Sequence, residues 1–209
     1  MSDLLPLFPL PNVVLFPNVF LPLHIFEPRY RDMVSDALAG DRLIGMVLLR
    51  PGWEQDYEKQ PPVYPIGCSG LITHVERLAD GRFNIVLRGV ERFRVLQEDH
   101  ERRYRRALVE PLVERQLTDE DRDCLRNQRA KLESLLSPAL SSGEPEQRTT
   151  AMSDEDLVNA LAQYLALEPL EKQALLEQQG LRSRAESLVE LIEMKMLIAK
   201  TPGLSSIAH

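Results

Sequence analysis

The residue preferences of the chain change near position 114, and this change constrains the fold more than any other feature of the sequence. Residues 1–114 hold most of the prolines and aromatics and nearly all the runs of β-branched residues. Residues 115–200 are rich in Leu, Glu, Gln, Arg and Ala, most of which favour helices. We therefore predict an α+β protein in two parts, a β-rich lobe over residues 1–114 and a helical bundle over residues 115–209.

Strand and turn patterns divide the first part. Asp80-Gly81 is a hairpin-turn dipeptide between two apolar runs, and Glu27–Ala39, followed by Gly40, has the pattern of a short helix. Strand composition is found in four segments: Leu43–Leu49, Val63–Leu78, Phe83–Leu96 and Tyr104–Val113. Strands in this order close into a twisted antiparallel sheet or a small barrel.

The third of these segments has apolar and polar residues on alternate positions. Its apolar parity comprises Phe83, Ile85, Leu87, Phe93 and Val95. The other parity, begun by the turn residue before it, comprises Arg82, Asn84, Arg88, Arg92 and Arg94. Because successive side chains of a strand point to opposite faces, we expect one face in the core and the other in water.

Helix start and stop signals divide the second part. Thr118 with Asp121 resembles a capping box, and Pro138 is expected to stop the helix that it begins. Residues 137–153 have the composition of a loop. Further helices are predicted to begin at Ser153, at Pro169 and at Ser183, the last with Leu188, Val189, Ile192 and Leu197 as its apolar face. The result is a bundle of about four helices.

Motifs that carry common enzymatic chemistries are missing from the sequence. No G-x-x-x-x-G-K-[ST] run is present to bind phosphate, and Gly67–Leu71 departs by one residue from the G-x-S-x-G turn that exposes a nucleophilic serine. His100 begins an H-E-x-x-H zinc pattern that ends on Tyr104 instead of histidine. Cys68 and His74 share a strand parity but lie too far apart to touch. We therefore predict no catalytic residue, no metal and no cofactor.

Charge and cysteine content limit which ligands and which cellular compartment fit this sequence. The formal net charge of -7 argues against a general affinity for nucleic acid, because phosphate binding relies on clustered cations. Cys68 and Cys124 are the only cysteines and form no C-x-x-C pattern, which fits a reducing cytoplasm. The N-terminus lacks the basic start of a signal peptide, and no run approaches the ~20 apolar residues of a membrane span. We predict a cytoplasmic protein without membrane association.

Aromatic residues in two segments are candidates for binding. Trp53 and Tyr57 lie in a polar loop between strands, where a ring either contacts a ligand or folds back as a lid on the barrel. A second group lies among the prolines near the start, where it either plugs the barrel or remains partly exposed as a binding patch: Phe16, Phe20, Leu21 and Phe26. We name these six residues as candidate peptide contacts.

An arginine-rich hairpin offers an alternative site for RNA or another anionic ligand. The candidate residues are Arg88, Arg92, Arg94, Arg103 and Arg105. Against this, acidic residues including Glu91, Glu98 and Glu101 lie between them and can pair with them across strands as an ordinary charged face. No aromatic residues share the strand parity of these arginines, as stacking platforms beside them would require.

Several segments resemble the N-terminal domain of Lon proteases. The opening signature of that family is matched by Leu5–Leu10, Val14–Pro17 and Leu21–Tyr30. Gly89–Val95 looks like the family's second hairpin, and Lys172–Glu177 with Arg184 resembles its late helical segment. The resemblance spans residues 4–198. It implies a β lobe like that of pseudouridine synthases and archaeosine transglycosylases (PUA-like), followed by a helical bundle.

The resemblance also implies a role. In Lon, an ATPase and a peptidase follow this region, whereas the present sequence ends at His209. We therefore expect a free-standing, non-catalytic module that recognises exposed apolar segments of unfolded or client polypeptides. On the same grounds we expect a Lon-type protease as a partner.

Overall fold

The computed structural model describes residues 4–54, 61–140 and 152–200. Six strands lie in these ranges: β1 (Leu5–Leu10), β2 (Phe20–Ile25), β3 (Leu43–Leu48), β4 (Ile66–Arg77), β5 (Phe83–Asp99) and β6 (Arg105–Pro111). The same ranges contain five helices: α1 (Pro28–Ala39), α2 (Asp119–Leu140), α3 (Asp154–Tyr164), α4 (Pro169–Leu176) and α5 (Leu181–Lys200). The α+β class predicted from the sequence is confirmed.

The strands close into a small mixed barrel because β5 is long enough to have three partners. Its first half pairs with β2 and β4, and its second half pairs with β4 and then with β6. β6 returns to β1, which runs parallel to β3, and β3 pairs with β4. Five strands therefore form a ring, and β2 lies outside it as an extra strand on β5.

The expected alternation along β5 produces the barrel core. Phe83, Ile85, Leu87 and Phe93 are buried, and Phe93 packs in a cluster with Leu7, Val47 and Ala107 from three other strands. The turn before β5 depends on Gly81, whose φ of 80° is costly for residues with a Cβ. The alternating burial along β5 and the glycine turn before it are thus those that the sequence predicted.

Two strands occur where the sequence analysis assigned none. β1 and β2 lie in the proline-rich start of the chain, and Pro6, Pro9 and Pro22 are part of them. Proline is depleted in strands because it donates no ladder hydrogen bond, so composition alone disfavours these segments. Pairing with β3, β5 and β6 overrides that preference.

The chain forms two compact units. The first comprises Met1–Val113 together with Asn159–Glu177, and the second comprises Glu114–Val158 together with Gln178–His209. This grouping differs from a break at residue 114, since residues 159–177 group with the barrel. α4 explains the difference, because Gln173 donates to the Ile66 carbonyl at 3.0 Å and the Leu176 carbonyl accepts from Arg92 at 2.8 Å. The division into a β-rich lobe over residues 1–114 and a helical lobe over residues 115–209 stays a prediction.

The second unit is helical, and α2 packs against α5. The predicted capping box is present, since Thr118 N donates to Asp121 Oδ2 at 3.0 Å and Asp121 N donates to Thr118 Oγ1 at 3.1 Å. Two expectations for this unit were wrong. α2 continues through Pro138 to Leu140, because a proline in the last turn removes only one terminal hydrogen bond. Leu197 is exposed in the final turns of α5 instead of joining its apolar face.

Among the residues that the structure describes, no helix is both long and apolar enough to cross a membrane.

Candidate functional site

The structure separates the six candidate peptide contacts. Phe16 is fully buried, so as a surface contact this prediction was wrong: the ring plugs the core. Trp53 is half-buried and packs against the barrel cluster, which matches the lid that was considered for it. Phe20 and Phe26 remain 50% and 60% exposed. Tyr57 lies outside the described residues.

Strand alternation explains which residues near the start are exposed. Along β2, Phe20, Pro22 and His24 face solvent, whereas Leu21 and Leu23 are half-buried and Ile25 is buried. Leu21 therefore points to the opposite face from Phe20. Phe26 follows β2 at the same parity as Phe20, and its ring stacks on His24 with centroids 6.3 Å apart. We call the exposed set Phe20, Pro22, His24 and Phe26 the β2 strip.

The β2 strip lies on an edge strand. β2 pairs with β5 from Phe20 opposite Arg88 to Ile25 opposite Phe83. Among the described strands, none pairs with the other side of β2. An exposed edge strand that carries aromatic side chains is a surface on which another polypeptide can dock.

Tyr164 at the end of α3 contacts one end of this edge. Its hydroxyl donates to the Phe20 carbonyl at 3.0 Å, while its side chain remains largely exposed. Nearby, Gln163 accepts a hydrogen bond from the backbone N–H of Phe16 at 3.2 Å. The segment that contains Gln163 and Tyr164 thus holds the chain that leads into β2. Sequence reasoning missed Tyr164 because its partner lies 144 residues away.

A shallow groove of about 340 Å³ runs beside the strip on β2, β5 and β4. It is lined by Pro22, Leu23, His24, His74, Asn84, Ile85 and Val86. A β-bulge shifts the register of β4 between Ile72 and His74, and this shift sets His74 opposite Val86. The same β5 residue is paired with Pro22, so a proline, a valine and a histidine lie abreast.

Hydrogen bonds beside this groove fix the orientation of the His24 ring. The Asn84 amide donates to Glu76 at 2.7 Å, so its carbonyl oxygen faces His24 Nδ1, also at 2.7 Å. His24 Nε2 lies 3.2 Å from an Arg82 nitrogen, which can only donate. Both ring nitrogens of His24 thus have a hydrogen-bonding partner on or next to β5.

The candidate arginines do not form one exposed stripe. Arg92, expected on the wet face of β5, is buried because α4 covers that face and Leu176 accepts its hydrogen bond. Arg105 is also buried, pairs with Glu98 at 3.3 Å and donates to the Pro61 carbonyl. Burial lowers the pKa of the Arg105 guanidinium. The other three candidates, Arg88, Arg94 and Arg103, are exposed.

The two thiols lack the environment of a nucleophile. Cys68 is fully buried, and its Sγ donates to the Ser69 carbonyl at 3.4 Å. Cys124 donates to Glu186 at 3.1 Å, and this acceptor together with burial raises the pKa of the Cys124 thiol. No group of three or more His, Cys, Asp or Glu among the described residues is arranged to hold a metal ion.

Comparison with known proteins identifies relatives over most of the chain. The sequence model of the ATP-dependent protease La (LON) substrate-binding domain matches residues 4–194. The Lon protease of Flavobacterium johnsoniae is 28% identical over 201 residues, which is 92% of this chain and 24% of that protein. Lon protease 2 of Syntrophobacter fumaroxidans is 30% identical over 182 residues, 85% of this chain and 22% of that protein. The chain thus spans about a quarter of the length of these relatives.

Solved structures show the same fold. The N-terminal domain of Mycobacterium avium complex Lon protease superposes with a TM-score of 0.69 at 20% identity, covering 91% of this chain and 98% of that one. The Lon N-terminal domain protein from Xanthomonas campestris superposes with a TM-score of 0.60 at 24% identity, covering 90% and 98%. The fold likeness and the match over residues 4–194 agree. The chain belongs to the family of the Lon protease substrate-binding domain.

Proposed function

We propose that this chain is a non-catalytic polypeptide-recognition module, which binds exposed apolar segments of client or partner proteins through the β2 strip. The observation that carries the proposal is the pair Phe20 and Phe26, two large aromatic side chains that are half or more exposed, one on the edge strand and one directly after it. The family's substrate-binding description and the Lon protease names of the relatives support a polypeptide as the ligand.

The physical basis is the apolar area that remains to be buried. Burying a phenylalanine side chain completely is worth about 1.5–3 kcal/mol, and about half of that is still available at each of the two rings. Together with neighbouring contacts on Pro22, this gain has to exceed the loss of translational freedom and side-chain ordering on binding. The two rings alone do not supply this, so we expect contacts along the rest of the segment to contribute to the affinity, and binding to show little sequence specificity.

The test is fluorescence anisotropy of a labelled unfolded polypeptide titrated with the protein at low and at high salt. The double variant Phe20→Ala/Phe26→Ala should weaken binding about tenfold, corresponding to the loss of about 1.4 kcal/mol of apolar contact. Because the contact is apolar, raising the salt concentration should change the affinity little.

Leu96→Ala is the matched control. Leu96 is 54% exposed on β5 and lies eight residues beyond Arg88, the partner of Phe20. Eight residues of extended strand span roughly 26 Å. This variant should bind like the parent protein. Equal weakening by both variants, or no binding of unfolded polypeptide by the parent, would refute the proposal.

Three further expectations concern the partner, the cellular location and the RNA alternative. An association with a Lon-type protease is proposed because the relatives are such proteases. A cytoplasmic location stays a prediction from the cysteine content. The RNA alternative receives no support, because Arg92 and Arg105 are buried against protein acceptors.

A further inference from the structure

We infer that the client segment binds as an added β-strand along the free edge of β2, in an extended conformation, with Tyr164 closing one end of the edge. This inference rests on the proposed function and adds to it the conformation of the ligand and the backbone atoms that it uses. The occupant is an extended polypeptide of another protein, and a second copy of this chain is an alternative that the experiment distinguishes.

A hydrogen bond at the start of the ladder shows which backbone groups of β2 point toward β5. Gly89 N donates to the Val19 carbonyl at 2.9 Å, while the Gly89 carbonyl accepts from Asn18 N, so at the start of the β2–β5 ladder the Val19 carbonyl faces β5 as it does in a hydrogen-bonded pair. In an antiparallel ladder such pairs alternate with pairs that do not exchange hydrogen bonds. The residues of β2 that bond to β5 are therefore Leu21, Leu23 and Ile25.

The partner strand agrees with this assignment. Val86, which lies opposite Pro22, accepts a hydrogen bond at its carbonyl from Thr73 Oγ1 at 3.1 Å, and Thr73 belongs to β4. The Val86 carbonyl therefore faces β4, away from β2. It follows that the backbone groups of Phe20, Pro22 and His24 point outward, toward the free edge.

Pro22 limits the backbone hydrogen bonds that the β2 edge can make with a ligand. At an outward position its missing N–H removes no bond to β5, which explains why the strand tolerates it. An added strand can donate to the Pro22 carbonyl and receives no hydrogen bond in return. His24 offers both a donor and an acceptor. The edge thus has more acceptors than donors, which disfavours regular pairing between two copies of β2 and favours a ligand that supplies N–H groups.

The third outward carbonyl of this edge belongs to Phe20, and the Tyr164 hydroxyl already donates a hydrogen bond to it. A client strand that extends to Phe20 has to displace this hydroxyl. The side chains of the β2 strip lie on the same face, so alternate side chains of the added strand rest on Phe20, Pro22 and His24.

The experiment is an N-methyl scan of a fluorescently labelled peptide of about ten residues that binds the parent protein. N-methylation removes one backbone donor at a time and leaves every side chain in place. We expect losses of about tenfold at alternate positions across the bound segment and changes within about twofold at the positions between them. Tyr164→Phe, which keeps the ring and removes the hydroxyl, should strengthen binding about threefold.

The outcomes separate the inference from the proposed function. Binding that depends on Phe20 and Phe26 but tolerates N-methylation at every position would overturn the added strand and leave the proposed function standing. Absence of any peptide binding would overturn both. Dimerisation of the parent protein that is lost in Phe20→Ala, measured by sedimentation, would assign the edge to a second copy and overturn the inference as well.

Discussion

Gly89 lies where β5 passes directly under the backbone that leads into β2. A Cβ at this position would overlap the carbonyl oxygen of Phe16, and it would lie 2.8 Å from the Phe16 carbonyl carbon and 3.1 Å from Pro17 Cα. Carbon atoms that do not share bonds prefer separations of about 3.5–4.0 Å, so the Phe16–Pro17 backbone has to move by on the order of 1 Å. The perturbation that we propose is Gly89→Ala.

The free energy of unfolding should fall by about 3 kcal/mol. Inserting a methyl group into a filled site costs about 1–3 kcal/mol. The movement also lengthens two backbone hydrogen bonds of 2.9 Å, from Asn18 N to the Gly89 carbonyl and from Gly89 N to the Val19 carbonyl, each worth about 1 kcal/mol. Replacing glycine lowers the entropy of the unfolded chain, which offsets about 0.4–1 kcal/mol of this loss.

Urea unfolding followed by tryptophan fluorescence is a suitable assay, because Trp53 is the only tryptophan and packs against the barrel cluster. Gly40→Ala is the control, since a Cβ there meets nothing closer than 3.7 Å, and it should change the free energy of unfolding by less than about 1 kcal/mol. If Gly89→Ala unfolded with the same free energy as the parent, the close approach to Phe16 would not constrain the fold and the reasoning would be refuted.

Two further predictions concern buried polar groups. Arg92→Met should lower the free energy of unfolding in urea by about 2 kcal/mol, because the Leu176 carbonyl loses a charged donor, whereas the exposed Arg94→Met should have an effect below about 0.5 kcal/mol. A loss of RNA binding in Arg92→Met without a loss of stability would contradict this structural role. Hydrogen bonds from Thr118 hold the pKa of Asp121 at about 2, below its usual 3.8, so the stabilisation is complete above about pH 4 and is lost as the pH falls toward 2. Thermal unfolding between pH 2 and pH 6 should therefore depend less on pH in Asp121→Asn, and parallel curves for the two proteins would count against the assignment.

The candidate site was only partly predictable. The sequence left open whether the aromatic residues near the start are buried or exposed; Phe20 and Phe26 are exposed, whereas Phe16, with the same composition around it, is buried. The difference arises because the backbone of Phe16 lies against Gly89 on β5, a contact between residues 73 positions apart in sequence. The β5 pairing that places Phe20 on an edge is likewise a long-range property.

Features that depend on neighbouring residues were determined by the sequence itself. The alternation of β5, the Asp80-Gly81 turn, the Thr118–Asp121 capping box and the Pro169 helix start all involve groups within a few residues of one another. Their energies are local, so residue type and spacing are sufficient to predict them. The change in composition near residue 114 indicated the α+β class for the same reason.

Tertiary structure alone decided which polar faces are covered and which edges stay open. α4 covers the face of β5 that carries Arg92, and the ring of five strands leaves β2 with one free side among the strands that the structure describes. Tyr164 reaches Phe20 across 144 residues of sequence. Each of these outcomes depends on which elements meet after the chain closes. Burial and hydrogen bonding at such contacts outweigh local preferences, and no periodicity within one segment encodes them.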